Sequence, residues 1–151
     1  MPPTDAETAA AIAAHHTEMR AELNRRIANL VATVRDGAPH RDAARGVLTY
    51  LEDDLLPHAM AEEATLYPAG SVGATALLVR AMSAEHEGLV ARVAAFRAEQ
   101  DPLGLAAGAV AIGALFESHL AKENDLLIPA LVANPDVVLA ELLAGMHELI
   151  G

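Results

Sequence analysis

The sequence of 151 residues contains no cysteine, which removes several kinds of chemistry at once. Without thiols the chain forms no disulfide, no thiolate zinc site and no iron–sulfur cluster, and it has no thiol nucleophile. Basic side chains are also scarce, with 10 lysines and arginines against 21 acidic residues and a net charge of −11. Because nucleic acids and anionic membranes are held mainly through Lys and Arg, we expect neither as a partner. Any reaction must therefore use nitrogen and oxygen side chains.

Two further absences favour a soluble, cytoplasmic protein. The N-terminus lacks the basic start and the apolar run of a signal peptide. Gly, Glu, His or Arg interrupts each apolar stretch before it reaches the roughly 18 residues that a membrane helix needs. The composition, with 53% apolar and 21% charged residues, is that of a globular chain, and the length favours a single domain over residues 1–151.

The alanine-rich composition, with only 3% aromatic residues, favours an all-α fold over a sheet. Apolar residues recur at helical intervals, and we expect five helices, at about residues 5–36, 40–66, 72–99, 102–132 and 135–149. The expected N-caps are Asp5, Asp101 and Asn134, and Pro57 is expected to kink the second helix. Four long helices joined by short loops predict an up-down-up-down four-helix bundle over about residues 5–133, followed by a short C-terminal fifth helix.

An internal repeat selects the residues that carry chemistry. Residues 58–69 can be laid over residues 119–130, and each copy contains His-x-x-x-Glu with a proline six residues after the glutamate. The first and third predicted helices match in the same way, since His16 and His86 are each followed by apolar residues at offsets of three and seven. The bundle is therefore predicted to be a doubled helical hairpin, with one histidine or one His-x-x-x-Glu on each helix.

The spacing within each repeat suits metal binding. Residues four apart lie one turn apart on one helix face, so His58 with Glu62, and His119 with Glu123, can reach a single point in the bundle interior. Buried ionised carboxylates need compensation, which a metal ion supplies. Imidazole and carboxylate ligands without sulfur suit iron, manganese or zinc, and two bridging carboxylates in a helical bundle favour a pair of metals. The predicted metal ligands are His16, His58, Glu62, His86, His119 and Glu123.

Neighbouring residues are sorted by helical phase. His15 competes with His16, but the repeat aligns His15 with Glu85, which assigns His15 to the helix flank. Helical phase assigns Glu63 to the surface, and Glu85 flanks His86 in a solvated position. His40 is interpreted as a surface residue. His147 lies 61 residues after His86, as His119 lies 61 after His58, but the fifth helix has no counterpart in the first half, so this spacing is treated as chance.

The two tyrosines differ in their relation to the predicted ligands. Tyr50 lies two turns before His58, so its phenolate could reach the metals from the same side of the helix and act as an additional ligand or modulator with a visible charge-transfer band. The alternative is a core tyrosine whose hydroxyl is hydrogen-bonded. Tyr67, beside Pro68 at the helix end, is interpreted as a packing residue.

The ordered set His16, His58-x3-Glu62, His86 and His119-x3-Glu123 resembles the hemerythrin-like HHE cation-binding domains over about residues 8–133. The resemblance implies a four-helix bundle with a non-haem, oxo-bridged di-iron centre, in which Glu62 and Glu123 bridge and the four histidines are terminal ligands. The chain departs from the oxygen-carrying hemerythrins at Val90, where they have a further histidine, and at Asn124, where they have an aspartate. The lost histidine argues against simple reversible oxygen carriage.

We therefore expect a di-iron protein that binds and turns over a small oxidant, namely peroxide, nitric oxide or dioxygen, in a peroxidase- or catalase-like or nitric-oxide-handling reaction. Open coordination positions on a redox metal pair would bind such ligands. One alternative is an oxygen or iron sensor without catalysis. Another is a metal-free helical interaction module, and zinc or manganese could replace iron. The sequence gives no indication of a particular protein partner.

Overall fold

The computed structural model describes residues 1–150, and all its regular elements within that range are helical. The α-helices are α1 Asp5–Arg35, α2 Arg41–Tyr50, α3 Leu56–Ala64, α4 Leu66–Gly70, α5 Ala76–Ala98, α6 Pro102–Lys122, α7 Ile128–Val132 and α8 Leu139–Ile150. Two π-helical turns, Leu51–Leu55 and Glu123–Leu127, join α2 to α3 and α6 to α7. A 3₁₀ turn, Gly73–Thr75, precedes α5.

The helices form the four arms of a bundle. We call α1 the first arm, α2 to α4 the second, α5 the third, and α6 with α7 the fourth. Each arm contacts its two neighbours in the order first, second, third, fourth and back to first. The short helix α8 packs across the first and second arms, against α1 and α3. The predicted four-helix bundle with a fifth C-terminal helix is confirmed.

Of the three predicted N-caps, Asp101 is confirmed, whereas Asp5 and Asn134 are not. Asp101 caps α6 as predicted, since its Oδ2 accepts a hydrogen bond of 2.8 Å from the backbone N–H of Gly104. Thr4, not Asp5, caps α1, in a reciprocal capping box with Glu7. Asp5 instead accepts a hydrogen bond of 2.9 Å from the backbone N–H of Leu139. The fifth helix thus starts at Leu139, tied to the first arm, and not at the predicted Asn134 cap.

Every irregularity in the second and fourth arms lies just before a proline. The π turn Leu51–Leu55 precedes Pro57, the π turn Glu123–Leu127 precedes Pro129, and the distorted residue Thr65 precedes Pro68. Proline has no N–H to donate four residues back, and its ring collides with that carbonyl group, so the preceding turn must widen or break. The irregular turns therefore rotate the residues that follow them away from ideal helical phase.

The apolar core consists of two clusters, one toward each end of the bundle. On α1, Ile12 belongs to one cluster and Met19 to the other, and on α5 Met82 and Leu89 are divided in the same way. The histidines between these pairs, His16 and His86, therefore lie in a polar layer between two apolar ones.

The fourth arm is more apolar than the sequence analysis allowed. The stretch Pro102–Val132 is long and apolar enough to cross a membrane by length and composition, since an 18-residue window within it has a mean hydropathy of 1.5. In the structure this stretch packs against α1 and α5 and carries the buried His119 and Glu123. Within that window 39% of the residues are buried, and they form the face that packs into the bundle.

Candidate metal centre

The polar layer is formed by the six predicted ligands, contributed by all four arms. Their exposed fractions are between 0% and 5%, and with Thr8 they are the buried polar or charged side chains among residues 1–150. The six residues are His16 from α1, His58 and Glu62 from α3, His86 from α5, His119 from α6, and Glu123 at the start of the second π turn.

The six side chains form two adjoining groups with a shared member. Ligand atoms of Glu62, His86, His119 and Glu123 lie within 4.8 Å of one another, and so do those of His16, His58 and Glu62. We call these the His86–His119 position and the His16–His58 position. Each is compact enough to hold one metal ion, and Glu62 can serve both.

Glu123 also spans the two positions. Its Oε1 lies 3.2 Å from Nε2 of His119, while its Oε2 lies 3.4 Å from Nε2 of His16. Glu62 accepts a contact of 2.8 Å from His58 through Oε1. The second oxygen of each glutamate, Oε2, is buried without a hydrogen-bond partner. Unpartnered buried carboxylate oxygens are costly, and two of them facing one cluster fit a pair of bridged cations.

The cluster also has too few protons to satisfy its own atoms. Nδ1 of His86 lies 2.9 Å from the Glu63 carboxylate, to which it can only donate, so in a neutral His86 ring Nε2 has no proton. His119 faces Glu85 in the same way at 3.4 Å. The two bare Nε2 atoms then lie only 2.9 Å apart, and the hydroxyl of Tyr67, which contacts both of them, donates its one proton to Oε1 of Glu123. Two nitrogen lone pairs at this separation repel each other unless a proton or a cation lies between them, and a metal ion fits that place.

The protonation states at neutral pH suit metal binding. Burial, assisted by the neighbouring His86, lowers the pKa of His119 to about 4, and burial also lowers the pKa of His16. Burial opposes ionisation of Glu62, but its hydrogen bond to His58 and its electrostatic attraction to that residue outweigh the effect of burial and lower the pKa of Glu62. Neutral imidazoles beside an ionised carboxylate are the forms that coordinate metal ions.

Tyr67 is a site residue that the sequence analysis missed. Its hydroxyl lies 2.9 Å from Nε2 of His119, 3.2 Å from Nε2 of His86 and 2.8 Å from Oε1 of Glu123. On an ideal helix Tyr67 would lie about 140° from Glu62, but the break at Thr65 turns it inward. The proline at 68 was the available signal, because it predicts a broken turn in front of it.

Tyr50 is placed elsewhere. Its hydroxyl donates a hydrogen bond of 3.3 Å to the carbonyl oxygen of Met19, and the Arg26 guanidinium lies 5.2 Å above its ring. Burial raises its pKa to about 12. The structure therefore does not bring Tyr50 to the cluster, and the alternative of a hydrogen-bonded core tyrosine describes its placement.

Three residues outside the ligand set contact the ligand histidines. Glu63 and Glu85 were assigned to the surface, and Asn124 was noted only as a difference from the oxygen-carrying hemerythrins. Glu63 and Glu85 accept from His86 and His119, and Asn124 accepts from Nδ1 of His16 at 2.8 Å. Helical phase failed here because these side chains lie at arm interfaces and reach the histidine of the neighbouring arm. Such partners fix the ring orientation of metal-binding histidines. Lys122 donates to Glu85 at 2.8 Å and holds it in place.

A cavity of about 480 Å³ lies beneath α8 and extends to His58. His15 and His147 also line it, and the His15 ring lies 5.3 Å from that of His58, centre to centre. His15 thus lies on the flank of α1 beside the ligand cluster, whereas His16 points into the cluster. The remaining lining residues are apolar, namely Ala11, Ile12, Leu143, Met146 and Ile150.

The fold and the site define a helical-bundle protein with a buried histidine and carboxylate cluster able to hold metal. Residues 8–131 match the family model of the hemerythrin HHE cation-binding domain, and the chain belongs to that family. A search of curated proteins and a search of solved structures each gave no significant match.

Proposed function

We propose that the protein is a non-haem di-iron protein that binds and turns over a small oxidant, namely peroxide, nitric oxide or dioxygen. The observation that carries the proposal is the pair of adjoining ligand groups that share Glu62, with two buried carboxylate oxygens left without a partner. Iron is favoured over zinc because a sulfur-free set with two bridging carboxylates in a helical bundle is typical of di-iron sites.

The chain offers each metal a similar but unequal set of donors. His86 and His119 would hold one ion, His16 and His58 the other, and Glu62 and Glu123 would bridge them. Bound iron would supply the electrons and the open position for the oxidant. This arrangement corresponds to the family resemblance, apart from Val90, which is 53% exposed on α5.

Tyr67 brings a further oxygen atom to the His86–His119 position. Its hydroxyl oxygen contacts His86, His119 and Glu123, so the oxygen is placed to coordinate a metal ion at the His86–His119 position. Burial, together with the charges of Glu62 and Glu63, raises the pKa of Tyr67. Without a cation the hydroxyl therefore keeps its proton and donates it to Oε1 of Glu123.

The two apolar clusters and the cavity control what reaches the metal centre. The two core clusters exclude water from the polar layer, which strengthens electrostatic interactions within it. The cavity under α8 gives a small uncharged molecule a route to His58. Peroxide and nitric oxide are small enough and uncharged at neutral pH.

Rapid mixing tests the proposal. Protein loaded with two irons and reduced anaerobically is mixed separately with hydrogen peroxide and with nitric oxide, and the absorption spectrum is followed. We expect saturable spectral changes with at least one of them and consumption of the oxidant over repeated additions of reductant. The His58→Ala variant should lose this reaction. A loaded protein that reacts with neither, or only at the rate of free ferrous ion, would contradict the proposal.

A further inference from the structure

The doubled hairpin makes the two metal positions equivalent by symmetry, but three symmetry-related pairs of outer residues differ. In the second and fourth arms Glu63 corresponds to Asn124, and Tyr67 corresponds to Ile128. In the first and third arms Glu85 corresponds to His15. In each pair the anionic or ionisable oxygen lies on the side of the His86–His119 position.

The first pair occupies the same place on opposite sides. Glu63 extends from the second arm and accepts from Nδ1 of His86 on the third arm at 2.9 Å. Asn124 extends from the fourth arm and accepts from Nδ1 of His16 on the first arm at 2.8 Å. The contacts have the same geometry, so the difference is one of charge: a carboxylate supports His86 and a neutral amide supports His16.

The second pair differs more strongly. Glu85 faces Nδ1 of His119 at 3.4 Å and is held by Lys122. Its counterpart His15 faces His58 with an imidazole ring, at 5.3 Å between ring centres. A carboxylate that accepts from a ligating imidazole raises the basicity of the nitrogen that binds the metal, which a second imidazole does not do. Glu63 makes the shorter contact and Glu85 is the less exposed, 17% against 44% in the side chain, so we expect both to contribute.

The third pair adds a donor. Tyr67 brings a hydroxyl oxygen to His86 and His119, whereas Ile128 is an apolar core residue at the corresponding place. The His86–His119 position therefore has one more potential ligand.

We propose that Glu63 and Glu85 are positioning residues that make the His86–His119 position the tighter of two unequal metal sites, so that the protein loads its metals in a fixed order. This inference rests on the dinuclear centre proposed above and not on its reaction with oxidants. The ligands alone would give two nearly equal sites, and the outer residues separate them.

Titration of the metal-free protein with cobalt(II) tests this inference without any oxidant. Cobalt(II) is a spectroscopic probe for nitrogen and oxygen sites, and calorimetry run in parallel gives the affinities. We expect two resolved binding phases, with the first absent in His119→Ala and the second absent in His58→Ala. In the Glu63→Gln, Glu85→Gln double variant the first phase should weaken by about 10- to 100-fold while the second changes little. Glutamine keeps the shape and an acceptor oxygen, so this variant removes charge alone.

The matched control reverses the change on the other side. Asn124→Asp adds a carboxylate to His16 at nearly constant shape and should strengthen the second phase by about tenfold. A gain in affinity cannot result from misfolding, so this arm holds even if the double variant is less stable. Equal affinities in the unmodified protein, or equal weakening of both phases in the double variant, would overturn the inference and leave the proposed function standing. A protein that binds no cobalt(II) or iron would overturn both.

Discussion

The hydroxyl of Tyr67 lies 2.9 Å from Nε2 of His119, whereas the hydroxyl of Tyr50 donates to the carbonyl oxygen of Met19. Removing the hydroxyl of Tyr67 should therefore affect the metal and removing that of Tyr50 should not. In Tyr67→Phe we expect cobalt(II) affinity at the His86–His119 position to fall about tenfold or more, since one donor is lost. A visible phenolate band in the iron form, if present, should vanish as well.

Tyr50→Phe is the matched control for this change. It removes only the hydrogen bond to Met19, so it should cost about 1 kcal/mol of stability and leave metal affinity and spectrum unchanged. If the band or the affinity depended on Tyr50 and not on Tyr67, the placement of the two tyrosines would be refuted.

The buried glutamates should cost the metal-free protein stability. Glu123 is completely buried and its Oε2 has no hydrogen-bond partner. Glu123→Met should raise the free energy of unfolding of the metal-free protein by about 1–3 kcal/mol, because it replaces a buried carboxyl group whose Oε2 has no hydrogen-bond partner by an apolar side chain of similar length. The same variant should lose the stabilisation that metal gives the unmodified protein.

Chemical denaturation with and without metal measures both effects. Glu87→Met, on the exposed surface of α5, is the control and should change neither. A large loss of stability in metal-free Glu123→Met would show that the carboxylate is satisfied by the protein alone.

The buried histidines predict a pH dependence of the metal-free protein. Burial lowers the pKa of His119 to about 4, whereas a histidine in the unfolded chain titrates near 6.5. Between these values the unfolded state binds more protons than the folded state, so the free energy of unfolding must decrease as the pH falls from about 6.5 to about 4. Above that range the contribution is constant.

Denaturation midpoints measured across this pH range should flatten in His119→Gln and keep their slope in His40→Gln. His40 lies at the start of α2, and its side chain makes no capping hydrogen bond there. Stability that increased on acidification in this range would contradict the buried, neutral state of His119.

The cavity beneath α8 gives a kinetic prediction. Ala11 lines it and is exposed on α1, so Ala11→Trp should fill the route to His58 without disturbing the core. We expect the rate of reaction with peroxide or nitric oxide to fall several-fold, with metal content unchanged. Ala21→Trp, also exposed on α1 but outside the cavity lining, should react normally, and equal rates in both variants would exclude this route.

Much of the fold followed from local signals. The cap at Asp101, the helical periodicity and the repeat predicted four arms and the residues that they bring together. The repeat was the strongest signal, because it selected His16 over His15. The cap at Asp5 was wrong because Thr4 forms a capping box with Glu7, while the Asp5 carboxylate accepts from Leu139, a contact 134 residues away in sequence.

The errors at the site share a cause. Assigning Glu63 by ideal helical phase ignored the reach of a glutamate across an arm interface, and interpreting Tyr67 as a packing residue at the helix end ignored the break at Thr65. Helical phase describes which way a Cβ points on one regular helix. It does not describe what a long side chain touches on the next helix, and that depends on how the arms pack.

Metal analysis tests the central claim most directly. The protein is produced in iron-supplemented medium, purified without chelators, and its metal content and absorption spectrum are measured alongside those of His58→Ala. We predict two iron ions per chain in the unmodified protein and a clear loss of iron in the variant. An unmodified protein that carries no iron, and takes up none when ferrous ion is added anaerobically, would contradict the account.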